Sequence, residues 1–162
     1  MARSRNDALN LALSEHGRKA YAWLQQVRDL KEDISRLDEK IKEINFKMTS
    51  LPSSSAFSGM RVQASQQQGA NFEQLIAAKD YMERELQKEQ EQFDLLKEQA
   101  KEVIWQCTEY PHRTLLMWYF LEGFTWKWVG ERIDRTERSV YRIRNEAFEK
   151  IVLPEDAIWL ER

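Results

Sequence analysis

Near the C-terminal end, Arg138, Arg142 and Asn145 follow one another at spacings of four and three. That spacing places all three on one face of a helix. Guanidinium and carboxamide groups are the side chains that pair bidentately with guanine and adenine edges in the major groove. Thr136, Ser139 and Tyr141 stand beside them, and hydroxyls suit phosphate oxygens. Arg135 lies just ahead of this run, and Arg144 on its flank could serve either base or phosphate. The chemistry on offer is hydrogen bonding to double-stranded DNA. The same residues also suit the solvated face of a plain three-helix unit.

Bond-making chemistry has no comparable signature. His16 and His112 are far apart, and Cys107 is the single cysteine, so neither a zinc set nor a disulfide can be assembled. No Gly-rich loop runs into Lys and Ser or Thr. The carboxylates alternate with Lys and Arg on helix flanks, where solvated ion pairs are the ordinary outcome. No catalytic residue, cofactor or metal is expected, and an enzyme is not the reading.

Three short apolar-periodic runs must position the Arg-rich face. Arg113 to Glu122 carries Leu115, Leu116, Trp118, Tyr119 and Leu121, and Gly123 ends it. Thr125 is a good N-cap for a second run with Trp126, Val129 and Ile133 turned inward. Thr136 caps a third, with Val140, Ile143, Ala147 and Ile151 on its buried side. Helix, short gap and helix form a helix-turn-helix pattern. Its crossing point needs a small residue, and Gly130 stands there between Val129 and Ile133. The turn usually holds Gly and then an apolar residue. Here it holds Asp134 and Arg135, of which Asp tolerates turn conformations.

The remaining chain reads as long helices. Ala20, Trp23, Val27, Leu30, Ile34, Leu37, Ile41, Ile44, Met48 and Leu51 form a heptad seam. A second seam runs from Phe72 through Leu75, Met82, Leu86, Phe93, Leu96, Ala100 and Val103 to Cys107, with Lys79 and Glu89 where apolar residues were due. Between them, residues 50–69 are rich in Ser, Pro, Gly and Gln and read as a loop. The expected fold is therefore all-α: a long antiparallel coiled-coil hairpin, then a three-helix helix-turn-helix domain. The expected segments are a leader over 1–15, the hairpin over 16–110 with its loop at 50–69, the helix-turn-helix over 111–152, and a tail over 153–162. The tail either tucks onto the hairpin base or offers Ile158, Trp159 and Leu160 to a partner. The seams carry more apolar bulk than one hairpin covers, so a homodimer through the hairpin is expected.

Net charge is −2 over 162 residues, which does not announce nucleic acid. Residues 111–151 nevertheless hold eight Lys and Arg against six Asp and Glu. The basic excess thus falls on the reading unit, though it is small enough that tight binding needs two copies or a partner. No apolar run is long enough to span a membrane, and no secretory signal opens the chain. With the lone thiol, this points to a reducing cytoplasm.

The C-terminal motif also carries a resemblance. Arg113, Leu116, the run Tyr119 to Trp126, Val129-Gly130, Ile133, the run Ser139 to Arg142, and Ala147 resemble the region-4 helix-turn-helix of sigma factors. They resemble more closely the small Gram-positive phage and prophage regulators of the RinA and ArpU kind, which are late-gene transcriptional activators. The loop piece Ser58 to Ser65 is similar to one found between the hairpin helices of such proteins. The resemblance implies a bacterial, cytoplasmic, phage-type transcription regulator. Its recognition helix would run from Thr136 to Ile151, with Arg138, Ser139, Tyr141 and Arg142 on DNA. Two other readings stand beside it. One is an adaptor docking on RNA polymerase or another regulator. The other is a small-terminase-like packaging protein, which would form a ring larger than a dimer.

Overall fold

A computed structural model describes residues 13–50 and 62–161, with side chains from Gly69 onward in the second stretch. Most of the leader, and the loop piece from Ser58 to Arg61, lie outside the described residues. Among the described residues there are helices and no strand. Helix α1 spans Glu15–Ser50 and α2 spans Val62–Trp105. Three short helices follow: α3 at Tyr110–Leu116, continued by a π-helical stretch at Met117–Leu121, α4 at Trp126–Arg132, and α5 at Glu137–Lys150. The fold is all-α, a long helical hairpin followed by a helix-turn-helix. None of these helices is long and apolar enough to cross a membrane.

The chain divides into two compact units. One comprises residues 32–91, the outer parts of α1 and α2. Ile41 and Ile44 are its buried residues on α1, while Ile34, Leu37 and Met48 are half-buried. On α2, no residue from Gly69 through Leu95 is buried. The α2 seam here is the more weakly covered one: Phe72 on it and Ile76 beside it stand exposed. Helix α2 begins at Val62, inside the stretch 50–69 expected to be loop. Ala64 and Gln66 to Gln68 are acceptable helix formers, and a lone Gly69 costs only about 1 kcal/mol.

The second unit holds the first part of α1, the last part of α2 and everything after it. Its core is dense: Ala20, Trp23, Leu24, Val27 and Leu30 from α1, Leu96, Ala100, Val103 and Ile104 from α2, and the inner faces of α3 to α5. The start of α1 is fixed by the end of α5. Ser14 caps α1 by accepting from Gly17 N at 3.0 Å. Glu149 in turn accepts from Ser14 N at 2.8 Å and from Ser14 Oγ at 2.6 Å. These bonds hold the Glu149 carboxyl below the ordinary carboxylate range. A depressed folded-state pKa gives stability that is present above the unfolded value and lost as pH falls through the folded one. Wild type should therefore exceed Glu149→Gln in melting temperature near neutral pH. The gap should close as pH falls below the carboxylate range, which a pH series of thermal melts reads directly.

The tail is docked on the hairpin base. It crosses without regular structure, with a turn closed by Ala157 N donating to Pro154 O at 3.2 Å, and is held by three glutamines. Gln106 donates to Val152 O at 2.8 Å and accepts from Val152 N at 2.9 Å. Gln99 accepts from Ile158 N at 2.9 Å and donates to Asp156 O at 3.2 Å. Gln26 donates to Ile158 O at 2.7 Å and accepts from Leu160 N at 3.0 Å. The buried Trp23 adds its indole N–H to Ile158 O at 2.9 Å. A carboxamide carries both a donor and an acceptor, so each glutamine satisfies main-chain groups that the tail, lacking regular structure, leaves open.

Candidate nucleic-acid interface

The helix-turn-helix is set at its crossing. A Cβ on Gly130 would lie 2.9 Å from Val140 Cγ2 and 3.0 Å from the Arg135 carbonyl oxygen, so only glycine lets α5 cross α4 this closely. The turn is a Schellman closure: Arg135 N donates to Gly130 O at 2.9 Å and Asp134 N to Glu131 O at 3.4 Å. Asp134 takes the left-handed conformation, with φ of 53°. This accounts for Asp where glycine is usual, since Asp is one of the few side chains that visits that region. Asp134→Gly should raise stability by about 0.5–1 kcal/mol, and Asp134→Val should lower it by about 1–2 kcal/mol, as chemical denaturation would show.

Both expected caps are present. Thr125 accepts from Trp128 N and Thr136 from Ser139 N, and Thr136 Oγ1 also donates to Ser139 Oγ at 3.0 Å. Helix α5 buries Val140, Ile143, Ala147 and Phe148, with Ile151 just beyond its end. From below, Arg28 donates to the carbonyls of Tyr119 and Phe124, both at 2.8 Å. Lys31 donates to those of Leu121 and Glu122 at 2.8 and 2.9 Å. These two side chains of α1 satisfy carbonyls around the end of the π stretch and hold the unit's first helix against the hairpin base.

Arg135, Thr136, Arg138 and Arg142 are exposed; Ser139, Tyr141 and Asn145 are half-buried. Arg135 and Arg138 form no ion pair with the described residues. Arg142 Nε lies 3.9 Å from Glu146 Oε1 on the open surface, a pair worth little in water. Tyr141 donates to Glu137 at 3.3 Å. Burial, with Glu137 adding to it, raises its pKa, so the phenol stays a donor. The two hydroxyls Thr136 and Ser139 are engaged in the cap. Arg138, Arg142 and Asn145 therefore form one outward stripe, flanked by capping hydroxyls.

Arg144 is different. Placed on the flank in the sequence reading, it is fully buried. Its guanidinium sits among the rings of Tyr141, Tyr21, Trp126 and Phe148 at 5.2, 5.5, 5.7 and 5.9 Å. Its Nε and Nη2 both donate to Asn145 Oδ1, at 3.1 and 2.9 Å, while Nη1 has no hydrogen-bond partner. Burial lowers its pKa, opposed by the nearby tyrosines, yet a guanidinium remains charged. Ring quadrupoles take the place of a carboxylate. Arg144 therefore cannot contact DNA.

No family model, curated protein or solved structure matches this chain.

One more surface accompanies the α5 stripe. Phe124 and Trp128 stack at 3.9 Å, 18° apart, and Trp118 meets Trp128 edge-on at 5.4 Å. Phe124 and Trp128 remain exposed. The sequence reading missed this cluster because Phe124 falls between helices, where periodicity carries no signal. On the other side of α5, His112 is buried and lies 3.3 Å from Glu146 Oε2, which helps tie α3 to α5.

Proposed function

We propose that this chain is a sequence-specific reader of double-stranded DNA, a phage-type transcriptional regulator of the RinA and ArpU kind that activates late genes from the bacterial cytoplasm. The observation that carries the reading is the close crossing at Gly130, which turns the Arg138, Arg142 and Asn145 stripe outward while the opposite face of α5 is buried. Arg138 and Arg142 read base edges, with Arg135 and Thr136 at the start of the helix and Ser139 and Tyr141 toward phosphates. Selection of duplexes from a random pool tests this. Enrichment of one motif is the expected result, and a pool that stays random sinks the stand-alone reader.

The protein works as a homodimer through the outer hairpin. In support, Phe72 and Ile76 lie a helical turn apart on α2 and are exposed, while Leu75, Met82 and Leu86 are half-buried. A symmetric dimer would present two α5 helices to a two-fold-symmetric site. Phe72→Asp with Ile76→Asp should give a monomer by sedimentation, with affinity for the full site lowered at least tenfold. A double variant that stays dimeric would place the contact elsewhere.

The exposed Phe124–Trp128 stack supports a second reading, an adaptor that docks on RNA polymerase or another regulator. Stable complex formation with polymerase in the absence of any DNA affinity would favour it.

A further inference from the structure

The pairing of Arg144 with Asn145 limits what Asn145 can do on DNA. A guanidinium has only donors, so the amide atom facing Arg144 must be the oxygen, whichever way the amide is drawn. That oxygen already accepts two hydrogen bonds, at 3.1 and 2.9 Å. The amide nitrogen has no partner among the described residues and belongs to a half-buried side chain on the stripe of Arg138 and Arg142. Reading adenine bidentately requires the oxygen to accept from the base and the nitrogen to donate to it. Arg144 cannot readily release the oxygen. It is fully buried, its Nη1 is already unpartnered, and four rings hold it in place.

We infer that Asn145 meets DNA as a hydrogen-bond donor only, oriented by the buried Arg144, so that it selects an acceptor on the duplex and cannot make the two-bond adenine contact. The acceptor is a purine N7, a guanine O6, a thymine O4 or a phosphate oxygen, which share this chemistry. Arg144 is a positioning residue and touches no DNA itself. The inference rests on the DNA-binding reading above and adds to it the polarity of one contact.

Asn145→Asp is the discriminating variant. A carboxylate of the same shape pairs with Arg144 and keeps the fold, but it has no donor and faces a polyanion. Melting temperature and affinity for the selected duplex, with a panel of single base-pair changes, are measured together. The expected result is a melting temperature equal to or above wild type and binding weakened at least tenfold. A loss that is even across the panel identifies a phosphate acceptor. A loss confined to one position identifies a base edge there: a guanine or thymine oxygen, or a purine N7 where adenine and guanine are bound alike. Should the aspartate fail to fold, Asn145→Ser gives the same comparison, since its hydroxyl accepts from Arg144 but is too short to carry the donor outward. Wild-type affinity in these variants would overturn the inference, reducing Asn145 to a structural partner of Arg144. Loss, in these variants, of a preference for adenine over guanine at one position would overturn it equally, since only the two-bond contact makes that distinction. Failure of wild type to select any duplex would remove the underlying reading, a result visible before any variant is made.

Discussion

Gly130→Val should unfold the helix-turn-helix or cost about 3 kcal/mol, the upper part of the range for overpacked sites. A Cβ alone would stand 2.9 Å from Val140 Cγ2 and 3.0 Å from the Arg135 carbonyl. The valine methyl can shift by a few tenths of an ångström. The carbonyl cannot, because it belongs to the turn closed by the Arg135 N to Gly130 O bond. Gly130→Ala gains about 1 kcal/mol of helix propensity, which offsets part of the clash, so its net cost should be about 1 kcal/mol. Urea denaturation of the three proteins should rank glycine, alanine and valine in falling stability. Equal stability of wild type and valine would mean that α4 and α5 do not cross as described.

Joint replacement of Arg138 and Arg142 by alanine is the second large effect. Each bidentate base contact contributes about 1–3 kcal/mol of discrimination, so the pair should lose about 2–6 kcal/mol at the preferred site. Both side chains are exposed, and substitutions on such a surface usually stay within about 0.5 kcal/mol in stability. Affinity should thus collapse while the unfolding curve stays in place. A loss equal on every duplex would reassign the two arginines to phosphates. An unchanged affinity would remove α5 from the interface.

Much of the helix-turn-helix was legible because each signal had one local cause. Gly130 marks the crossing, Thr125 and Thr136 cap the helices, and Val140, Ile143, Ala147 and Ile151 share a buried face; all stand where periodicity placed them. The first helix of the unit was legible only in part. The π stretch at Met117–Leu121 inserts extra chain into one turn, so Leu121, five residues past Leu116, is buried beside Phe120. Trp118 and Tyr119 become half-buried instead. A 3.6-residue period from Leu115 and Leu116 points to Tyr119 and Phe120, and it cannot anticipate that Leu121 takes the place of Tyr119.

Arg144 was illegible for another reason. Arginine counts as a surface residue in any pattern, and the rings that bury it come from α1, α4 and α5, separated widely in sequence. The glutamine clamps on the tail were hidden in the same way. Gln26, Gln99 and Gln106 look like ordinary solvated positions until the tail is laid across them. The start of α2 at Val62 was missed because Ser and Gln signal loop by composition while still tolerating a helix.

The proposal that the outward stripe of α5 reads DNA sequence stands or falls on its binding to duplexes. Fluorescence anisotropy of wild type on the selected duplex and on a scrambled one, at two salt concentrations, tests it most directly. Tight binding to the selected duplex, weakening steeply with salt, and far weaker binding to the scrambled one are expected. Equal binding to both duplexes, or none to either, would contradict the proposal.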